Sequence, residues 1–270
     1  MPELPEVETT RRGLERYLIN QTITKIIVRE HRLRWPVPNE LMQAEQQNVT
    51  ALTRRGKYLI LHTNIGAAII HLGMSGCLRV SAEVTPPQKH DHIDISFSNN
   101  MFLRFSDPRR FGCCLWTADN PLLHHLLIHL GPEPLMDNFN ANYLYQRTRN
   151  TKRAIKEVIM DSHIVVGVGN IYAAESLFRA GIHPLQAANT ISSARYKKLI
   201  TAIKDILSHA IERGGTTLRD FLNSDGKPGY FKQELQVYGR AGELCRICGK
   251  KLLLIRQQNR ATVYCPLCQK

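Results

Sequence analysis

The sequence predicts an α+β protein: an N-terminal helix with an antiparallel β-sandwich or barrel, then a helical half ending in a cysteine-bearing hairpin. Three observations carry that class. Apolar spacing is helical over residues 4–18 and then changes to short runs rich in β-branched and aromatic residues. Beyond Gly131-Pro132-Glu133-Pro134 the spacing turns helical again. Residues 237–270 carry two Cys-x2-Cys pairs. With 270 residues the chain can fill one large domain or two modest ones.

Along the chain, Pro5 suits a first helical turn, and Val7, Leu14, Tyr17 and Leu18 recur at helical spacing. The predicted strands are residues 23–28, 58–62, 67–72, 77–80, 93–97, 102–105 and 113–116. Turn signals divide them: Gly66, residues 73–76, Pro86-Pro87, Asn99-Asn100 and Asp107-Pro108. Many short strands at close spacing point to an antiparallel sandwich or barrel packed on the first helix. Helices are predicted over 152–160, 171–180 and 193–213, the last with Leu199, Ile203, Ile206, Leu207, Ala210 and Ile211 on one face. Gly181 and Pro184 stop the second of these, Gly214-Gly215 the third. The Asp225–Gly229 segment has the composition of a flexible loop.

Composition narrows the function classes. Hydrophobic content of 43% and charged content of 22% are ordinary for a soluble globular protein. No apolar run approaches the roughly 18 residues that a membrane span needs. Glu3, Glu6 and Glu8 make the start acidic, unlike a secretory signal, so the cytoplasm is the expected compartment. The net charge of +13 is skewed: residues 146–270 hold 21 basic and 9 acidic side chains, a net of +12. Such a skew favours a polyanion, because each phosphate neutralised by Lys or Arg releases counterions. A solvated basic surface is the plainer alternative, and charge does not separate DNA from RNA.

Cys245, Cys248, Cys265 and Cys268 are spaced as two knuckles sixteen residues apart, which matches a four-thiolate zinc site. Strands over 252–256 and 261–264 would form the hairpin between the knuckles. So small a piece has little core, and metal binding must supply much of its folding free energy. Disulfides or redox chemistry are the alternatives, disfavoured without a secretion signal. Four thiolates leave no ligand position for water, so one zinc ion here is structural. Cys77, Cys113 and Cys114 sit in apolar strand contexts and read as small buried hydrophobes.

The chain start offers different chemistry. Met1 precedes the small residue Pro2, and its removal would expose a secondary amine. An α-amino group ordinarily titrates at about 7.7–8, so a neutral fraction exists at cellular pH. Such an amine can attack an anomeric carbon and form a Schiff base, and the adjacent Glu3 can move protons. Taken alone, this pair is more often just a solvated terminus.

Five segments, in order along the whole chain, resemble the formamidopyrimidine-DNA glycosylase family: residues 1–9 (Met-Pro-Glu-Leu-Pro-Glu-Val-Glu-Thr), 71–76 (His-Leu-Gly-Met-Ser-Gly), 107–112 (Asp-Pro-Arg-Arg-Phe-Gly), 167–172 (Gly-Val-Gly-Asn-Ile-Tyr) and 226–231 (Gly-Lys-Pro-Gly-Tyr-Phe), with the cysteine tail after them. Leu4 sets the chain apart from the endonuclease VIII branch, which usually carries glycine in a Pro-Glu-Gly-Pro-Glu start. The resemblance implies a bifunctional glycosylase and AP lyase of base excision repair. Its substrates would be 8-oxoguanine and ring-opened purines in duplex DNA, with β- and δ-elimination after excision.

The resemblance also implies roles. Pro2 would be the nucleophile, Glu3 the proton donor, Lys57 an aid to elimination, and Arg260 a phosphate ligand for the second elimination. Met74, Arg109 and Phe111 would fill the gap left by a flipped base; read alone, Met74 and Phe111 are core residues. His71, His90 and Asn170 would contact DNA, the last at a helix N-terminus. The family often carries lysine near position 151, a place that Lys152 would take. Glu6 and Glu175 would line the pocket, and residues 152–180 would form a helix–two-turns–helix element. The loop around 223–230 would close over the flipped base. The implied organisation is a catalytic helix-and-sandwich domain over 1–131, a helical domain over 132–236, and a zinc-finger hairpin over 237–270. The implied partner is damaged double-stranded DNA, bound by a monomer with no membrane association, in a bacterial cytoplasm and on the nucleoid. Two rivals are an endonuclease VIII-like enzyme for oxidised pyrimidines and a zinc-ribbon DNA-binding protein without catalysis.

Overall fold

The computed structural model describes residues 2–83, 85–216 and 231–270, so the 223–230 loop lies outside the described residues. The chain divides into two compact units, Met1–His129 with Arg213–Lys232, and Leu130–Glu212 with Gln233–Lys270.

In the first unit, helix α1 spans Leu4–Leu18 with Pro5 in its first turn. It buries Leu4, Val7, Leu14 and Leu18 and packs against strands β2 (Val49–Arg55) and β3 (Tyr58–Thr63). Each leucine so buried contributes about 1.5–3 kcal/mol by leaving water. One antiparallel sheet runs β2-β3-β4-β8, with β4 at Ala67–His71 and β8 at Cys113–Thr117. The other runs β1-β6-β7-β5, with β1 at Ile23–Val28, β5 at Cys77–Ser81, β6 at Asp91–Phe97 and β7 at Phe102–Ser106. Leu52, Leu59, Leu61 and Ile70 of the first sheet and Ile26, Ile93, Ile95 and Phe105 of the second share one core with α1. This is a sandwich.

Every predicted strand of this unit is present, together with β2, which the hydrophobic pattern misses. A register shift between Val49 and Ala51 spaces the buried Val49 and Leu52 three residues apart, which hides the two-residue period of a strand.

The second unit is helical: α2 (Ala141–Thr148), α3 (Ile155–Ile159), α4 (Asn170–Arg179) and α5 (Ser193–Glu212). Helix α2 also escapes the sequence pattern, since only Leu144 and Thr148 are buried on it, although Asn140 caps it by accepting the Tyr143 N–H at 3.0 Å. Helix α3 is shorter than predicted. Residues 153–155 pair instead with the 186–188 backbone, the Ile155 N–H donating to the Gln186 carbonyl at 2.8 Å and the Ala188 N–H to that of Arg153 at 2.9 Å. Strands β9 (Leu253–Gln257) and β10 (Arg260–Tyr264) form the C-terminal hairpin. Its core is shared with α4, where Ala174 and Phe178 meet Val237, Leu252, Val263, Cys245 and Cys265. No helix among the described residues is long and apolar enough to cross a membrane.

Candidate active site and nucleic-acid interface

Pro2 and Glu3 are buried at the head of α1. Glu6 holds them. Its carboxylate accepts the Glu3 N–H at 2.8 Å through one oxygen and the Thr216 N–H at 2.8 Å through the other. Gly215, at φ +83°, lies so close that a Cβ there would sit 3.1 Å from the Glu6 carboxylate. The first turn of α1 is thereby fastened to the 215–216 backbone.

Glu8, one turn further on, pairs with Arg11 at 3.1 Å, Arg12 at 2.9 Å and Arg54 at 3.0 Å. Burial would raise its carboxyl, but these three guanidinium groups hold it below the usual carboxylate range. Arg54 also donates to the Gly56 carbonyl at 2.9 Å, so α1 braces the β2–β3 turn that carries Lys57. Sequence reasoning gave Glu8 no role beyond the acidity of the N-terminus, because its partner is 46 residues away. His71 ends β4 with its ring 4.7 Å from that of Tyr58. Burial, then the charges of Lys57 and Arg34, push its imidazole down to about 4. Its Nδ1 accepts the Gly73 N–H at 2.9 Å, so the neutral ring carries its proton on Nε2.

Met74, Arg109 and Phe111 occupy two adjoining loops. Met74 is 39% and Phe111 44% exposed, so neither is a core residue. The Arg109 guanidinium lies 4.8 Å from the centre of the Phe111 ring. Gly73, at φ +63°, lets the loops touch backbone to backbone: a Cβ there would meet Gly112 N at 2.4 Å. His90 is exposed on a third loop.

In the second unit, Asn170 opens α4 after Gly167 and Gly169. Its side-chain oxygen accepts from Lys156 Nζ at 2.6 Å, and its amide donates to the Ala261 carbonyl at 3.1 Å. Lys156 is only 2% exposed and also donates to Thr262 Oγ1 at 2.6 Å. This buried lysine, rather than the exposed Lys152, ties α3, α4 and the hairpin together. Nothing in its local sequence marks Lys156, because its partners Asn170 and Thr262 lie 14 and 106 residues away. Arg260 is exposed where β10 leaves its turn, in which Gln258 and Asn259 both adopt positive φ, as a two-residue hairpin requires. Glu175, 4% exposed on α4, accepts the N–H groups of Gln236, Val237 and Tyr238 at 2.8–2.9 Å. Burial raises its carboxyl against the pull of those amides. The carboxylate anchors the root of the hairpin.

The sulfurs of Cys245, Cys248, Cys265 and Cys268 all lie within 4.8 Å of one another. The pairs Cys248–Cys265 at 3.4 Å and Cys245–Cys268 at 3.9 Å are far beyond a disulfide bond and bracket the edge of a thiolate tetrahedron about 2.3 Å from its metal. The cluster is fit to hold one metal ion. Burial would raise the Cys245 thiol, but the amides of Cys248 and Ile247 bring it down to about 7.

The chain matches the formamidopyrimidine-DNA glycosylase N-terminal domain over residues 1–114 and the family's H2TH domain over 130–222. It is 56% identical over 270 residues to a formamidopyrimidine-DNA glycosylase of Escherichia coli O7:K1 and 54% identical to one of Photobacterium damsela subsp. piscicida, all of each chain being covered. In structure it is similar to a Lactococcus lactis Fpg variant in complex with DNA containing Fapy-dG, with a TM-score of 0.92, 34% identity and 100% of both chains covered. By two domain matches and more than half of its residues, this chain belongs to the formamidopyrimidine-DNA glycosylase family.

Proposed function

We propose that this DNA glycosylase of base excision repair removes 8-oxoguanine and ring-opened purines from duplex DNA with the amine of Pro2, then cleaves the strand. The observation that carries the mechanism is the Glu6 clamp on the Glu3 N–H, which fixes the chain start at the head of α1. Once Met1 is removed, the neutral secondary amine attacks C1′ of deoxyribose. The N–C1′ bond forms as the glycosidic bond breaks and the base leaves with a proton. Glu3 delivers a proton to O4′ as the sugar ring opens, giving an iminium. That cation acidifies C2′; loss of its proton expels the 3′ phosphate, and a second elimination expels the 5′ phosphate. Water then releases the sugar fragment from Pro2.

Lys57, braced by Glu8 and Arg54, assists elimination beside His71, while Arg260 holds a phosphate for the second step. Met74, Arg109 and Phe111 fill the gap left by the flipped base, Arg109 facing the orphaned cytosine. His90 and Asn170 contact the backbone, Asn170 through the amides of α4, since its side chain is held by Lys156. Glu6 acts by fixing backbone at the head of α1, and Glu175 by fixing backbone at the root of the hairpin. One zinc ion on Cys245, Cys248, Cys265 and Cys268 supplies folding free energy to the hairpin, and four thiolates leave it no position for substrate. The protein works as a monomer in the bacterial cytoplasm, on the nucleoid when bound to DNA; the bacterial relatives support that setting.

Borohydride reduction on duplex DNA holding 8-oxoguanine opposite cytosine tests the mechanism. A covalent adduct through Pro2 is expected, and it disappears when residues are added ahead of Pro2. An untagged, active protein that yields no adduct overturns the lyase assignment. Faster excision of thymine glycol than of 8-oxoguanine would place the chain with the pyrimidine enzymes.

A further inference from the structure

We infer that Asp107 is the positioning residue that sets the gap-filling loops as one rigid unit, an inference that rests on the wedge assignment of Met74, Arg109 and Phe111. The side chain is fully buried. Its Oδ1 accepts from Ser75 Oγ at 2.7 Å and, less closely, from the Arg109 N–H at 3.3 Å. Its Oδ2 accepts the Gly112 N–H at 2.7 Å. Its main chain is engaged as well: the N–H donates to the His90 carbonyl at 3.0 Å, and the carbonyl accepts from His92 Nε2 at 2.8 Å.

One residue therefore joins three loops, those carrying Met74, His90, and Arg109 with Phe111. The bonds fall beside the residues that matter. Ser75 follows Met74, and the Arg109 and Gly112 amides bracket Phe111. The remaining space is tight, since a Cβ on Gly112 would sit 2.6 Å from the His71 carbonyl and 3.0 Å from Asp107 Oδ2. Met74 and Phe111 lie outside the sandwich core, so the loop backbone has to set their positions. A wedge that must enter a base stack needs its backbone set beforehand, because ordering it on binding would cost affinity. A carboxylate, which only accepts, suits three converging donors. An amide would turn an N–H toward one of them.

Asp107→Asn tests this, with Ser75→Ala as a milder variant should the first fail to fold. Two substrates separate the steps. Duplex DNA with 8-oxoguanine opposite cytosine needs the gap filled; a single-stranded abasic oligonucleotide has no stacked partner strand and needs only Pro2 chemistry. The loss of one buried hydrogen bond predicts duplex excision slower by on the order of tenfold or more, with single-strand borohydride trapping within about twofold of the unsubstituted protein. Phe111→Ala combined with Asp107→Asn should cost little more than either alone, since both remove the same wedge. Equal losses on the two substrates, or no loss on either, overturn the positioning role. An unsubstituted protein that traps neither substrate would instead defeat the catalytic reading, which keeps the two failures apart.

Discussion

His71 shows how much chemistry a single residue takes from its surroundings. Burial and the charges of Lys57 and Arg34 push its imidazole down to about 4, and the Gly73 N–H occupies the Nδ1 lone pair that protonation would need. An imidazole in the unfolded chain binds its proton near about 6.5. Between these values the unfolded state holds a proton that the folded state refuses, so stability is full above pH 6.5 and falls as the pH drops toward 4. Each pH unit across that window is worth up to about 1.4 kcal/mol. His71→Gln removes this dependence. Urea unfolding at pH 7 and pH 4.5 should show a smaller loss for the variant than for the parent; identical losses would refute the depressed histidine. Glu8 and Lys156 are lessons at the same scale. Both are charged residues whose work lies in buried contacts with distant partners, Arg54 for one and Thr262 for the other.

At the scale of elements, the hairpin and α4 form one packed body. Phe178 and Ala174 supply the apolar surface that the cysteine tail lacks, and Glu175 takes three consecutive amides at the hairpin root. Breaking the thiolate cluster should therefore unsettle α4 as well as the tail. With zinc on the four thiolates as proposed, Cys245→Ser is expected to lose stoichiometric zinc and bind duplex DNA at least about tenfold more weakly, because a hairpin with so little core would need the metal to fold. Both tryptophans, Trp35 and Trp116, belong to the sandwich unit, so their fluorescence should stay native. Zinc loss with unchanged DNA affinity would rule out a grip that depends on the folded hairpin. The same scale explains α3, whose first residues are taken by a backbone pairing with 186–188 in place of helix.

For the whole molecule the charge asymmetry becomes measurable. A net of +12 in residues 146–270 predicts DNA binding that weakens steeply with salt, each neutralised phosphate adding about 0.9 to the slope of log affinity against log salt. Arg260→Ala should weaken binding and reduce that slope by about one, as the loss of a single phosphate contact does. An unchanged slope would mean that the exposed guanidinium faces no phosphate. The two units share the charge unequally: Met1–His129 with Arg213–Lys232 holds 19 basic and 14 acidic side chains, a net of +5, and Leu130–Glu212 with Gln233–Lys270 holds 17 and 9, a net of +8.

By itself the sequence determined the class of fold, nearly all the strands and the thiolate spacing. These are local properties, written in apolar periods, turn residues and ligand intervals that neighbouring residues impose on one another. The tertiary structure decided what those elements are wired to. It revealed β2 behind its register shift, tied the Asn170 side chain to the buried Lys156, and made Asp107 the junction of three loops. Each depends on groups far apart in the chain meeting in a space that excludes water. There an unmade hydrogen bond is costly, and only the assembled fold specifies its partner.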